Sequence, residues 1–176
     1  AIFDLDGTLV DSMWVWERID MEFLKKRGYT VPENLKDNIT HLSFKQVAQY
    51  FKTTFSIDDS VEAIMDEWHE MAYNEYSNNV FLKEGAMEYL HSLKKAGIKI
   101  ALATSNSKPL LEATLKNNGI YDLFDSITVT DEVKKGKDNP DIYLLAAEKL
   151  NVNPVNCMVY EDIVAAVGGA KLAGMN

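Results

Sequence analysis

The chain has 176 residues, 47% of them hydrophobic and 26% charged, so it can bury a core as one domain, with or without a modest insertion. Its formal net charge of −9 argues against nucleic acid or an anionic membrane surface as the main partner. No run is long enough to span a membrane, no signal peptide is visible, and the lone Cys157 fits a reducing, cytoplasmic compartment.

The chain opens on a short apolar run, 1–3, that predicts a strand, followed by Asp4-Leu5-Asp6-Gly7-Thr8. Residues i and i+2 of a strand point to the same side, so Asp4 and Asp6 are expected to face the same solvent before Gly7 lets the backbone turn. Two carboxylates this close repel each other unless a cation or a shared proton compensates. The pattern therefore favours a metal site in which one carboxylate attacks and the other handles a proton. Calcium loops and β-turns also use Asp-x-Asp-Gly, but apolar residues follow here instead of further oxygen ligands.

Helical periodicity continues from about residue 13 to residue 81. One helix is predicted over 13–27, a short piece begins at Pro32, the capping-box spacing of Ser43–Gln46 opens a second long helix, and 58–60 opens a third. The Trp, Phe and Met stripes of these helices are most simply the core of a small bundle.

Beyond this bundle, strands and helices alternate, which predicts a doubly wound parallel α/β sheet that the first strand joins. The predicted domains are accordingly a core of 1–12 and 82–176 and an inserted helical segment, 13–81. The chain lacks an initiator Met, and we expect it to be a piece trimmed at both ends. The elements predicted in the core are helix 87–96, strand 98–103, a helix with Pro109 in its first turn that ends at Gly119, strand 127–130, helix 140–150, strand 157–160 and helix 163–173.

Polar residues recur where the predicted strands end. In open parallel sheets ligands bind outside the carboxyl ends of the strands, so four clusters that are distant in sequence should converge on one crevice. These clusters are Asp4 with Asp6, Thr104-Ser105-Asn106, Lys137, and Glu161-Asp162.

In order and spacing, these four clusters resemble the four motifs of the haloacid dehalogenase-like superfamily. The insertion between the first two motifs is similar to the helical cap of its β-phosphoglucomutase-like and phosphoglycolate-phosphatase-like branch. The sequence departs from the family at two positions: Asp138 follows the motif lysine where Pro is usual, and Ile163 follows the acidic pair where Ser is common.

The resemblance implies that Asp4 attacks phosphorus and forms an aspartyl-phosphate, while Asp6 protonates the leaving oxygen and later deprotonates the attacking water. The implied cofactor is Mg²⁺, a hard cation that prefers oxygen ligands. Its implied ligands are the Asp4 carboxylate, the Asp6 backbone carbonyl and the Asp162 carboxylate, with Glu161 either a ligand or a partner of one.

Two further motif residues have implied roles: Thr104 holds the phosphoryl oxygens, and Lys137 neutralises the charge that builds on them. Taken alone, the first belongs to an ordinary helix N-cap cluster and the second to a solvated lysine run. The other residues implied in substrate binding are Gly7, Ser105 and Asn106 in the core and His41, Phe44 and Lys45 in the cap.

These roles predict a phosphatase that acts on a small phosphorylated metabolite. Asp6 disfavours the dehalogenase and phosphonatase branches, which lack an acid–base carboxylate at this position. A phosphosugar mutase is the closer alternative, although relatives with that activity usually have Arg near Phe44 and Val or Ile at Thr8; Lys45 could reach the same space. A catalytically silent binding module is a third possibility, and the substrate stays open. We expect a monomer or a weak dimer.

Overall fold

The computed structural model describes residues 1–39 and 42–176, and the chain forms two compact units. One unit consists of 1–12 with 76–176, and the other of 13–75. The chain therefore passes from one unit to the other after Ser12 and returns between Glu75 and Tyr76.

The 13–75 unit is helical. Rings of α1, α3 and α4 form its core, where Phe23 and Phe51 each meet Trp68 edge-on, with ring centroids 5.4 and 4.9 Å apart. The capping box predicted at the start of α3 is present: the Gln46 N–H donates to Ser43 Oγ, and the Ser43 N–H donates to Gln46 Oε1 at 2.8 Å. Its helices are α1 Val15–Lys26, α2 Leu35–Ile39, α3 Phe44–Thr54 and α4 Val61–Asn78, the last of which ends in the other unit.

The second unit is built on a four-stranded, wholly parallel sheet with the strand order β3-β2-β1-β4. Its strands are β1 Ile2–Phe3, β2 Ala101–Thr104, β3 Ser126–Val129 and β4 Val159–Tyr160, and its remaining helices are α5 Ala86–Lys95, α6 Lys108–Asn117, α7 Asp141–Leu150 and α8 Val164–Leu172.

Helices cover both faces of this sheet. On one face Ile2, Ala101 and Ala103 pack with the buried side chains of α7 and α8. On the other face the ring of Phe3 meets Tyr89 of α5, with ring centroids 6.2 Å apart. Successive side chains of a strand alternate between faces, so apolar strands of this kind are buried on both sides. The predicted doubly wound α/β fold is confirmed.

The order of the strands indicates where the expected crevice lies. The chain goes from β1 to β2 and β3 on one side and then returns to β4 on the other side of β1, so the direction of winding reverses at β1. Ligands of doubly wound sheets bind at such a reversal, outside the carboxyl ends of the strands. In the ranges 1–39 and 42–176, none of the helices combines the length and the apolar character that crossing a membrane requires.

Candidate active site

A tight turn after β1 separates Asp4 from Asp6. The carbonyl of Leu5 accepts hydrogen bonds from the N–H groups of residues 8–10, at 2.9 to 3.3 Å. Gly7 adopts a positive φ of 85° in this turn, a conformation that a side chain would strain. The turn therefore leaves Asp4 at the end of the strand and carries Asp6 away from it.

Asp4 lies in a buried ion-pair cluster. Its carboxylate Oδ1 accepts a hydrogen bond from Lys137 Nζ at 2.6 Å, although the two residues are 133 positions apart in sequence. The same ammonium contacts Glu161, and only 10% of the Lys137 side chain is exposed. Burial raises the pKa of Asp4 to about 6 against the opposing effect of Lys137, and the charge of Glu161 adds to the rise.

The carboxylate of Glu161 is held on both sides. One oxygen, Oε1, contacts Lys137 and accepts a hydrogen bond from the Tyr143 hydroxyl at 3.4 Å. The other, Oε2, accepts from the N–H groups of Asp162 and Ile163 at 2.9 and 3.2 Å. The side chain of Glu161 is thus fixed with one oxygen against the lysine. The sequence analysis predicted no role for Tyr143.

Asp6 belongs to a different network, in which three donors share its carboxylate. Oδ1 accepts from the Tyr76 hydroxyl at 2.6 Å and from Ser12 Oγ at 2.7 Å, and Oδ2 accepts from Asn106 Nδ2 at 2.8 Å. The expectation that Asp4 and Asp6 face the same solvent is wrong, because Asp4 is only 7% exposed. The sequence reasoning missed Ser12 and Tyr76. A helical stripe shows which side of a helix is buried but not which atom a hydroxyl reaches.

The predicted phosphate-binding stretch follows β2. Thr104 is buried at the carboxyl end of the strand, and its hydroxyl accepts the N–H of Asn106 at 3.0 Å. Ser105 is exposed beside it. The Asn106 side chain, for which the resemblance implied a part in substrate binding, donates to Asp6.

The cap residues named from the sequence have ordinary surroundings within the 13–75 unit. The ring of Phe44 lies against Trp16, Trp68 and His69, with ring centroids 4.9 to 5.6 Å apart. The exposed Lys45 side chain has Glu62 4.0 Å away. His41 lies outside the described residues.

Three acidic residues at the ends of β1 and β4 can hold a divalent metal ion. Carboxylate oxygens of Asp4, Glu161 and Asp162 lie within 4.8 Å of one another. All are hard oxygen donors, the type that Mg²⁺ and Ca²⁺ prefer. The cluster has three carboxylates and one ammonium, that of Lys137, which contacts two of them, Asp4 and Glu161, so the donor set suits a cation.

Comparisons with known proteins identify a family and several relatives for this chain. Residues 1–174 match the family model described as haloacid dehalogenase-like hydrolase. The chain is 32% identical to a phosphorylated carbohydrates phosphatase of Thermotoga maritima over 99% of its own length and 81% of the relative's. It is 34% identical to hexitol phosphatase A of Escherichia coli K12, over 98% and 78% of the two chains. A crystal structure from Thermotoga maritima, provisionally named β-phosphoglucomutase, superposes with a TM-score of 0.90 at 32% identity, over 99% and 81% of the two chains.

Proposed function

Since the chain belongs to the haloacid dehalogenase-like hydrolase family, we propose that it is a Mg²⁺-dependent phosphatase that hydrolyses a small phosphomonoester through an aspartyl-phosphate. One observation carries the proposal: the buried Asp4 carboxylate is bound by Lys137 at 2.6 Å, while Asp6 is held by a separate set of donors. Two-step phosphoryl transfer needs two carboxyl groups in separate roles, because one attacks phosphorus while the other handles the proton.

The reaction proceeds in two displacements. In the first, an Asp4 oxygen bonds to phosphorus, the bond from phosphorus to the leaving oxygen breaks, and the proton of Asp6 moves to that oxygen. In the second, a water oxygen bonds to phosphorus, the bond to Asp4 breaks, and the proton of the water returns to Asp6. The products are the alcohol and inorganic phosphate, and the enzyme regains its starting protonation.

Lys137 and the stretch after β2 would bind the phosphoryl group. The ammonium of Lys137 already lies beside Asp4, where it neutralises negative charge at the point of attack. Thr104 and Ser105 lie just before α6, and backbone N–H groups near a helix start favour an anion.

The acidic cluster fits the metal that the family implies. Asp4 and Asp162 would hold it through their carboxylates, and Asp6 through its backbone carbonyl, since the Asp6 side chain already has three donors. When bound, Mg²⁺ supplies positive charge that screens the carboxylates and orients the phosphoryl oxygens. Both carboxylate oxygens of Glu161 already have partners, so we assign this residue to orienting Lys137.

We further propose that the helical insertion, 13–81, acts as a cap that selects the substrate, with His41, Phe44 and Lys45 as its contacts. The names of the relatives favour a phosphorylated carbohydrate or polyol as substrate class. The protein is expected in the cytoplasm as a monomer or weak dimer, without a nucleic-acid partner.

The test is hydrolysis of p-nitrophenyl phosphate with and without Mg²⁺, comparing the wild type with Asp4→Asn. Asp122→Asn is the matched control, because this carboxylate is exposed and lies outside the cluster. The proposal expects metal-dependent turnover that Asp4→Asn abolishes and Asp122→Asn retains. Undiminished turnover in Asp4→Asn would contradict the aspartyl-phosphate route.

A phosphosugar mutase is the second candidate, favoured by the TM-score of 0.90 to the structure provisionally named β-phosphoglucomutase. A mutase must hold a second phosphate, and cationic side chains serve that purpose. Phe44 offers none, which supports hydrolysis. Conversion of a hexose 1-phosphate in the presence of a hexose bisphosphate, without net phosphate release, would identify the mutase. No turnover in either assay would favour the third alternative, a catalytically silent binding module.

A further inference from the structure

The Tyr76 hydroxyl donates to Asp6 Oδ1 at 2.6 Å, from a tyrosine that is only 2% exposed to a carboxylate that is partly exposed. We propose that Tyr76 is a positioning residue for Asp6, whose hydroxyl holds the carboxyl group in the orientation from which it delivers a proton to the leaving oxygen. The inference rests on the proposed phosphatase function and adds a residue that the four motifs do not include.

The geometry of the contact makes it a strong one. At 2.6 Å it lies at the short end of the range for hydrogen bonds between oxygen atoms. Tyr76 brings this hydroxyl from a buried ring, whereas Asp6 itself is partly exposed.

Tyr76 is itself fixed from a second direction. Its backbone carbonyl accepts a hydrogen bond from Thr114 Oγ1 at 3.0 Å, and Thr114 is fully buried on α6. Helix α6 follows the loop that carries Asn106, the donor to the other oxygen of Asp6. The two sides of the Asp6 carboxylate are therefore held by parts of the chain that meet at α6.

The distribution of donors distinguishes the two oxygens of Asp6. Oδ1 has two donors, Tyr76 and Ser12, whereas Oδ2 has one, Asn106. Tyr76 and Ser12 therefore anchor Oδ1, and Oδ2 is the oxygen less constrained by hydrogen bonds.

The test compares Tyr76→Phe with Tyr73→Phe on two substrates that differ in their need for an acid. Tyr73 lies on the same helix and is 51% exposed, so its variant controls for loss of a hydroxyl from α4. p-Nitrophenyl phosphate releases a stable phenolate that needs little protonation, whereas glycerol 3-phosphate releases an alkoxide that must be protonated. The measured quantity is the kcat/KM for the alkyl ester divided by that for the aryl ester.

General acid catalysis contributes roughly 10²–10⁴-fold, and a misplaced acid keeps part of that, so Tyr76→Phe should lower the ratio by about tenfold or more. Tyr73→Phe should leave it unchanged. An unchanged ratio in Tyr76→Phe, or an equal fall in kcat/KM for both esters, would overturn the positioning role, because a structural defect affects both substrates alike.

A second variant and the wild-type activities distinguish failure of the positioning role from failure of the proposed function. If Tyr76→Phe does not fold, Tyr76→Leu, which also lacks the hydroxyl but fills the pocket with a flexible chain, is measured against the same expectation. If the wild type hydrolyses neither ester, the proposed function fails and the positioning role falls with it. If the wild type hydrolyses both and the variants do not change the ratio, the positioning role alone fails.

Discussion

Replacing Gly169 by alanine should displace the backbone that carries Lys137, whereas the same change at its neighbour Gly168 should not. A Cβ at residue 169 would overlap the carbonyl oxygen of Lys137, and would lie 2.8 Å from the Asn139 oxygen and 3.0 Å from the Asp138 carbonyl carbon. A Cβ at residue 168 would meet nothing within 4 Å. Both glycines lie in α8, so one is a matched control for the other.

The magnitude follows from two effects. Gly to Ala within a helix gains about 1 kcal/mol in helix propensity, and this gain is the same at both positions. Overpacking costs about 1–3 kcal/mol, and the upper end applies at Gly169 because backbone atoms yield less readily than a side chain. The two variants should therefore differ by about 3 kcal/mol in the free energy of unfolding. At about 2–4 °C per kcal/mol for a chain of this size, their melting temperatures should differ by roughly 6–12 °C.

Two assays check the reasoning. Thermal unfolding followed by circular dichroism should place Gly168→Ala above the wild type and Gly169→Ala below it. Because a displacement of about 1 Å can cost on the order of 10²-fold in rate, kcat/KM for p-nitrophenyl phosphate should fall at least about tenfold in Gly169→Ala alone. Equal melting temperatures and equal activities in the two variants would refute the argument from close packing.

Three further predictions concern other parts of the chain. Burial raises the pKa of Asp20 to about 7, so the folded protein still holds a proton that the unfolded chain releases near pH 4. Holding this proton favours the folded state, and this contribution to the free energy of unfolding is lost as the pH rises through about 7. Asp20→Asn should therefore raise the urea midpoint more at about pH 8 than at about pH 5. Arg27 binds Glu67 through two hydrogen bonds, at 2.6 and 3.4 Å, and Arg27→Lys loses this two-point contact. In urea titrations it should lower the free energy of unfolding by about 1–3 kcal/mol. Lys26→Gln, which removes the exposed Lys26 from its ion pair with Glu67, should lower it less. Asp162→Asn should raise the Mg²⁺ concentration for half-maximal activity by at least about tenfold, measured by metal titration; an unchanged requirement would remove Asp162 from the ligand set.

Much of the fold could be predicted because local signals and the tertiary arrangement agree. The capping box at Ser43 and the alternation of apolar strands with helices after residue 82 both gave elements that the structure contains. The strand predicted over 98–103 is displaced, since β2 spans Ala101–Thr104. Ile98 is 42% exposed and precedes the paired segment, and pairing depends on a neighbouring strand that hydrophobicity alone does not reveal.

The candidate site was predictable to the level of residue type and strand end, but not to the level of hydrogen bonds. Strand order brings Asp4, Lys137 and Glu161 together, and the motif spacing indicated this. The resemblance implied a substrate-binding role for Asn106, but it did not indicate that the Asn106 amide donates to Asp6. Tyr76 gave no signal beyond a helical stripe, because its partner is 70 positions away and becomes its neighbour only in the folded chain.

Helix α8 links the two halves of the ion-pair cluster. The acidic pair Glu161-Asp162 lies immediately before the helix, and Gly169, near its middle, packs against the backbone of Lys137. One rigid element therefore sets the distance between the carboxylates and the ammonium that they share with Asp4. Coulomb energy changes steeply at these short, buried separations, so small shifts of α8 alter the charge balance around Asp4. Glycine weakens the helix locally, but only glycine fits at this contact, because a Cβ there would move the lysine that accompanies the nucleophile.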